Sequence, residues 1–232
     1  MDESLLLDSY DPGAFERPSV AVDLILTSVV DGAPAVLLHR RTERPHEGAW
    51  ALPGGFVGIG ECLDDAARWV LGTKARMDEA YLEQLYSFGA VDRDPRMRII
   101  SVAYFALLPA ERFTAAPGLT LARVSAPEDG PITASVDGAA VPLAFDHDAM
   151  LDLAIRRLRG KLDWSPVAFA LLPERFTLRA LQDVHEAILG RPLNKPAFRR
   201  RLIDSGRIAA TGERETGASF RPAELYRYTG KP

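Results

Sequence analysis

The chain has 232 residues, 47% hydrophobic and 26% charged, with a net charge of −4 and a single cysteine, Cys62. That size and balance fit one large or two modest globular domains. They exclude an intrachain disulfide and a multi-cysteine zinc site, and no apolar run reaches the roughly 18 residues of a membrane span.

The start, Met1-Asp2-Glu3-Ser4, is acidic and unlike a secretory signal, so a reducing cytoplasm is the expected setting. Residues 1–17 read as an irregular arm punctuated by Pro12 and Gly13. Residues 19–30 are rich in Val, Ile and Leu and predict a strand. Asp31-Gly32 signals a turn, and residues 35–40 predict the returning strand. Residues 42–48 read as a loop and residues 50–53 as a short extended piece. Gly54, Gly55, Gly58 and Gly60 then precede a helix predicted over residues 61–74, with Leu63, Ala66, Ala67, Val70 and Leu71 on one stripe. Asp64 and Asp65 suit the first turn of that helix electrostatically.

Residues 79–87 are ambiguous, and residues 99–108 predict a buried strand. Residues 113–142 hold short strand candidates near 122–124 and 141–143. Residues 146–158 predict a helix with Met150, Leu151, Ala154, Ile155 and Leu158 on its apolar face. Composition shifts at Arg159-Gly160-Lys161, which places a domain boundary near 160. Beyond it, residues 168–172 predict a first short helix. Thr177 caps a second, over residues 178–189, stopped by Gly190. Asn194 caps a third, over residues 195–204. Two short strands follow, near 208–212 and 225–228, with a glycine-bearing loop between them.

Charge divides along the same line. Residues 156–232 hold 16 Lys+Arg against 8 Asp+Glu, a net +8, while residues 1–155 hold 12 against 24, a net −12. Three short helices and a hairpin on a basic segment have the plan of a winged helix-turn-helix that meets duplex DNA. RNA is the weaker fit, because no aromatic platform lies on a sheet. Phe198 and Leu202 should face inward on the third helix. Lys195, Arg199 and Arg200 should then project outward with Arg201 on the flank, and Arg214 and Arg221 extend the surface along the hairpin loop. Arginine reads guanine edges bidentately and lysine favours phosphate.

In the N-terminal part the glycine segment is expected to turn backbone amides toward a bound anion at a helix start. Arg40, Arg41, Arg93 and Arg96 are expected to add phosphate-binding charge. Trp50 and Phe56, with Gly54 and Gly55, complete the expected effector site. Phe88 is a further candidate to stack on a nucleobase, and a core role is open for each of these aromatics.

The segments His39-Arg40-Arg41, Gly48-Ala49-Trp50-Ala51-Leu52-Pro53-Gly54-Gly55-Phe56-Val57, Ser87-Phe88-Gly89 and Asp92-Arg93-Asp94-Pro95-Arg96 resemble the Nudix domain, in the branch that handles ADP-ribose. The resemblance covers residues of about 18–158. Phe176-Thr177-Leu178, Gly190-Arg191-Pro192-Leu193-Asn194-Lys195 and Thr211-Gly212-Glu213-Arg214 resemble the winged helix joined to such domains in NrtR-type regulators of NAD metabolism. The fold this implies is α+β: a Nudix-like α/β/α sandwich with a mixed sheet over residues 1–159, then a winged helix-turn-helix over residues 160–232.

One departure shapes the functional expectation. The Nudix box begins with Gly55 and Glu61, yet the hydrolase pattern of Arg-Glu at 69 and 70 and Glu-Glu at 73 and 74 is replaced by Trp69, Val70, Thr73 and Lys74. Magnesium needs hard oxygen ligands, and Glu61 alone cannot supply them; it is expected to order its loop. The resemblance therefore implies a sensor: a repressor that responds to ADP-ribose or a related phosphorylated metabolite. It implies a homodimer on a palindromic operator near NAD genes, with no catalytic residue, no metal and no membrane partner. The alternatives are an active ADP-ribose hydrolase with an accessory nucleic-acid domain, and a scaffold whose basic tail binds an acidic protein.

Overall fold

The computed structural model describes residues 11–77, 79–113, 117–216 and 222–230. The organising element is the first strand, β1 (Ser19–Val30), which is buried on both faces along most of its length. Its even residues Val22, Leu24 and Leu26 enter one hydrophobic cluster and Ile25 the other, as the two-residue period of a strand requires. A strand covered on both sides reads as a continuous apolar run, which is why residues 19–30 were legible.

β1 runs parallel to β6 (Ile99–Leu107) on one edge. Its other edge is divided. Residues 21–23 pair with β4 (Gly54–Phe56), and residues 27–30 pair with β2 (Ala33–Arg40). A short β3 (Trp50–Ala51) pairs with the end of β2. β5 (Tyr81–Phe88), β7 (Thr120–Ser125), β8 (Thr133–Val136) and β9 (Ala139–Val141) complete a mixed sheet in the order β5-β6-β1-β2-β7-β8-β9. The ambiguous residues near 81–88 are thus an edge strand.

One face of the sheet is covered by α1 (Leu63–Lys74) through Ala66, Ala67, Val70 and Leu71. The other is covered by α2 (His147–Lys161) through Met150, Leu151, Ala154, Ile155 and Leu158. Each such leucine or isoleucine withdrawn from water contributes about 1.5–3 kcal/mol. α2 continues past position 160, and its last residue, Lys161, ion-pairs with Glu83 of β5.

The C-terminal segment has the winged-helix plan with one shortened element. Residues 168–172 form a single 3-10 turn, Phe169–Leu171, in place of the expected helix. Pro166 and Pro173 bracket the segment, and Leu172, which precedes Pro173, is extended, as the residue before proline prefers. α3 (Leu178–Leu189) is capped by Thr177, whose hydroxyl accepts the Ala180 N–H at 3.0 Å, and ends at left-handed Gly190. α4 (Lys195–Asp204) is capped by Asn194, which accepts the Ala197 N–H at 3.0 Å. The turn between them is fixed by Glu186, whose carboxylate accepts from Gln182 Nε2 at 2.7 Å and Leu193 N at 2.8 Å. The wing is β10 (Ile208–Arg214) against β11 (Glu224–Tyr228), and Phe176 exchanges two backbone hydrogen bonds with Tyr226. No helix among the described residues is long and apolar enough to cross a membrane.

The sheet and the winged helix share one joint. Arg159 of α2 donates to Ile188 O at 2.7 Å in α3 and to Ala126 O at 2.6 Å and Pro127 O at 2.9 Å after β7. Gly190 sits directly on the same loop: a β-carbon there would lie 2.3 Å from Ala126 O. The hydrophobic cluster under α2 runs on through Val167, Phe176, Leu181 and Ile188 to Phe198 and Leu202. Gly190→Ala combines the left-handed φ of +72° with that clash, and should lower the melting temperature by more than Gly32→Ala, whose φ is +74° with open space around it. Strain alone costs about 1–2 kcal/mol; the excess at Gly190, read by thermal denaturation of both variants, measures the joint.

Candidate functional site

A cavity of about 690 Å³ is lined by Ala21 and Asp23 of β1 and by β4, with which they pair. Its floor is a buried polar network. Asp23 of β1 accepts the Ser101 hydroxyl at 2.5 Å and lies 3.8 Å from both Arg93 Nη2 and His147 Nε2. Arg93, whose side chain is 5% exposed, donates twice to Asp146 at the start of α2, at 2.9 and 2.7 Å. His147 Nδ1 accepts the Leu52 N–H at 3.0 Å, so the ring proton sits on Nε2 toward Asp23. Burial pushes the His147 pKa down, which keeps the imidazole neutral and makes its approach to Asp23 a polar contact rather than an ion pair.

The walls are cationic. Arg41, Lys74, Arg76, Arg93 and Arg96 line the cavity against Asp23, Glu43 and Asp94. Arg96 is held by a bidentate bond to Asp94 at 3.0 and 2.7 Å, and this bond, with others against the cost of burial, holds the Asp94 carboxyl below its usual range. The Arg41 guanidinium packs over the Phe145 ring at 4.7 Å and donates to the carbonyls of Pro45 and Glu43. It is held below its ordinary pKa by burial and by the neighbouring Arg96 charge. A wall with five cations against three carboxylates favours an anionic ligand.

Of the expected effector residues, Arg41, Gly54, Gly55, Phe56, Arg93 and Arg96 line this cavity; Arg40 and Trp50 do not. Arg40 donates to Gly48 O at 2.9 Å and stacks its guanidinium 5.4 Å from the Trp50 ring, outside the opening. The two residues sit opposite each other in the β2–β3 pair. The glycine segment also differs from its expected role. Gly54 and Gly55 belong to β4, and Gly54 is required because a β-carbon would meet Asp23 Oδ1 at 2.1 Å and Val22 O at 2.7 Å. Its function is close strand approach, not a phosphate-binding turn.

The start of α1 is not at the cavity either. It carries Asp64 and Asp65, and Asp64 accepts the Tyr104 hydroxyl at 2.7 Å. The C-terminal end of α1 lines the cavity instead, through Trp69, Thr73 and Lys74. Position 70 faces the core, where Val70 is 1% exposed. Glu61 accepts the Gly58 N–H at 3.0 Å and orders the loop. Among the described residues no group of three or more His, Cys, Asp or Glu is placed to hold a metal ion. Asp23, His39, Asp94, Phe145 and His147 were not anticipated. Asp23 and His147 meet from 124 residues apart, and although His39 and Asp94 fall within the segments that carry the resemblance, nothing local marks the role of any of the five.

The second candidate surface is α4 with the wing. Lys195 and Arg200 are exposed, and the Arg200 side chain is 86% accessible, with Asp204 at 3.7 Å. Arg199 is half-buried beside Tyr226, its Nε buried without a partner, which corrects the expectation that it projects freely. Arg201 pairs with Asp163 at 3.1 Å. At 100° per residue, 199 and 201 each lie about 80° from the Phe198–Leu202 stripe while 200 lies opposite it. Arg214 is exposed and donates to Pro222 O at 3.1 Å. Arg221 lies outside the described residues.

Residues 168–228 match the NrtR DNA-binding winged helix domain and residues 17–123 the NUDIX domain. The chain is 36% identical over 228 residues to the ADPR responsive transcriptional repressor NtrR of Acinetobacter baylyi, covering 97% of this chain and 88% of that one. Among solved structures it resembles Shewanella oneidensis NrtR complexed with a 27mer DNA, at TM-score 0.75 and 31% identity over 90% of this chain and 93% of that one. It also resembles the NUDIX domain of the same protein complexed with ADP ribose, at TM-score 0.53 and 29% identity over 68% of this chain and 99% of that one.

Burial holds His39, His147 and His185 below their ordinary pKa of 6.5. The folded chain keeps them neutral while the unfolded chain protonates them near 6.5, so acid favours unfolding below that value and has no such effect above it. Melting temperature should be level above about pH 7 and fall from about pH 6.5 toward pH 5. His185→Phe should make the fall shallower, read by thermal denaturation across that range.

Proposed function

The chain belongs to the NrtR family of Nudix-related winged-helix regulators, and from that premise we infer that it is a transcriptional repressor that binds duplex DNA and responds to ADP-ribose. One observation carries this reading: a cation-walled cavity, with Trp69, Thr73 and Lys74 at the positions of the hydrolytic box, is joined through α2 and Arg159 to a winged helix with a cationic recognition helix. Residues 1–159 form the sensing and dimerising part in this reading, and residues 160–232 the DNA-binding part. The protein acts in the cytoplasm as a homodimer on a palindromic operator near NAD-related genes. Two recognition helices about one turn of duplex apart match such a site.

On the DNA, Lys195, Arg200 and Arg214 meet the duplex directly. Arg199 supports α4 against the wing, and Arg201 tethers it to Asp163. The sensing site comprises Arg41, Arg93, Arg96, Gly54, Gly55 and Phe56, joined by Trp69, Lys74 and Arg76. Hydrolysis is not part of this function, because Glu61 is engaged with its own loop and Lys74 stands where a carboxylate would be needed.

ADP-ribose acts as a regulator only if it distinguishes two arrangements of the winged helices. DNA affinity should then change with ADP-ribose by about 5–150-fold, and DNA should change ADP-ribose affinity by the same factor. Fluorescence anisotropy on a duplex from the gene's own upstream region, paired with calorimetry of ADP-ribose with and without that duplex, reads both factors. Equal affinities in all four states refute the regulatory reading. In the same assay Arg200→Ala and Lys195→Ala should each weaken binding and lower the salt slope by about one, while Arg201→Ala leaves the slope unchanged.

A further inference from the structure

A diphosphate brings about two negative charges into the cavity at neutral pH. In the Nudix hydrolases a divalent cation held by carboxylates meets that charge. The donor set here does not fit such an ion. Thr73 Oγ1 donates to Trp69 O at 2.6 Å, Val70 is packed under Gly55, and Glu61 and Asp64 are engaged with Gly58 N and the Tyr104 hydroxyl.

What stands in the cavity wall instead is fixed positive charge. Lys74 extends from the last turn of α1, and Arg76 follows it in a left-handed conformation at φ 54°. Neither they nor Arg41 ion-pairs with a carboxylate within 4 Å among the described residues. The charges of Arg41 and Lys74 reach one residue of the wall. His39 on the wall is pushed down by burial foremost, with Arg41 and Lys74 adding to it. Lys74 and Arg76 are exposed on the wall, so an anion that enters meets cations that no ion pair within 4 Å engages.

We propose that Lys74, with Arg41 and Arg76, supplies the positive charge that a divalent cation supplies in the hydrolases, so that a diphosphate ligand binds here without magnesium. This rests on the ADP-ribose reading and adds to it the chemistry of recognition. The ammonium at position 74 performs two tasks at once: it removes a metal ligand and replaces the metal's charge. A lysine in the last turn also complements the helix dipole, so the test must move something that a dipole role would not.

Isothermal titration of the full chain with ADP-ribose, once in EDTA and once in excess magnesium, provides that test. The expected result is a Kd unchanged within about twofold between the two buffers. Lys74→Ala should weaken binding about tenfold or more in both, and Lys74→Arg should restore most of it. Melting temperature without ligand should differ little among the three proteins. A wild-type Kd that tightens tenfold with magnesium overturns the proposal. So does unchanged binding in Lys74→Ala and in Arg76→Ala. Absence of ADP-ribose binding by the wild type in either buffer overturns the ADP-ribose reading itself, and this inference with it, and is distinct from the other failures.

Discussion

The Arg93–Asp146 pair ties the start of α2 to the cavity floor, and much of the molecule takes its place from that helix. Arg93 reaches Asp146 with two hydrogen bonds at the start of α2 while lying 3.8 Å from Asp23 on β1. Exchanging an ion pair shielded from water for apolar residues is often neutral, because desolvation offsets the attraction. The pair is therefore weak evidence for net stability and strong evidence for placement. Fifteen residues later the same helix ends beside the winged helix, about 22 Å away at 1.5 Å per residue. Arg159 and Lys161 anchor that end to α3 and to β5. One helix thus contacts the cavity network at its start and the winged helix at its end.

Local charge and net charge point in opposite directions. Residues 1–155 carry −12 overall, yet five cations line their principal cavity. Asp23, Glu43 and Asp94 share the cavity with them, and acidic residues elsewhere serve the scaffold: Asp64 holds Tyr104, and Asp148 accepts the Leu143 N–H. A sum over sequence weights every side chain equally, whereas a ligand responds to those within a few ångströms and shielded from water. The basic C-terminal segment shows the same effect on a smaller scale. Three consecutive arginines on α4 have three fates, because a helix turns each by 100°: one toward solvent, one beside Tyr226, one to Asp163.

Much of the architecture was legible because its signals are short-range. The bounds of β1, α3 and α4 follow from double-sided burial, from Thr177 and Gly190, and from Asn194. The resemblance to Nudix and NrtR proteins rests on segments that also fold locally. The failures share one character. Residues 168–172 looked helical by composition, yet Pro166 and Pro173 left space for one turn. Gly54 looked like part of an anion-binding turn, yet its constraint is the carboxylate of Asp23, thirty-one residues earlier.

Periodicity, capping and turn chemistry were sufficient to locate β1, β2, β6 and the four helices, since each depends on neighbours within about four residues, and the division of charge follows from a count along the chain. The replacement of the acids expected at 70, 73 and 74, and of the arginine expected at 69, was equally plain from the chain alone. Which end of α1 meets the cavity was decided only by tertiary packing, as was the burial of Val70 while Lys74 remains at the wall. So were the network of Asp23, Arg93, Asp146 and His147 and the seating of Gly190 on residues 126–128. These outcomes join residues that are distant in sequence, and their energies come from mutual exclusion of water and van der Waals overlap. Neither quantity exists until the chain has closed on itself.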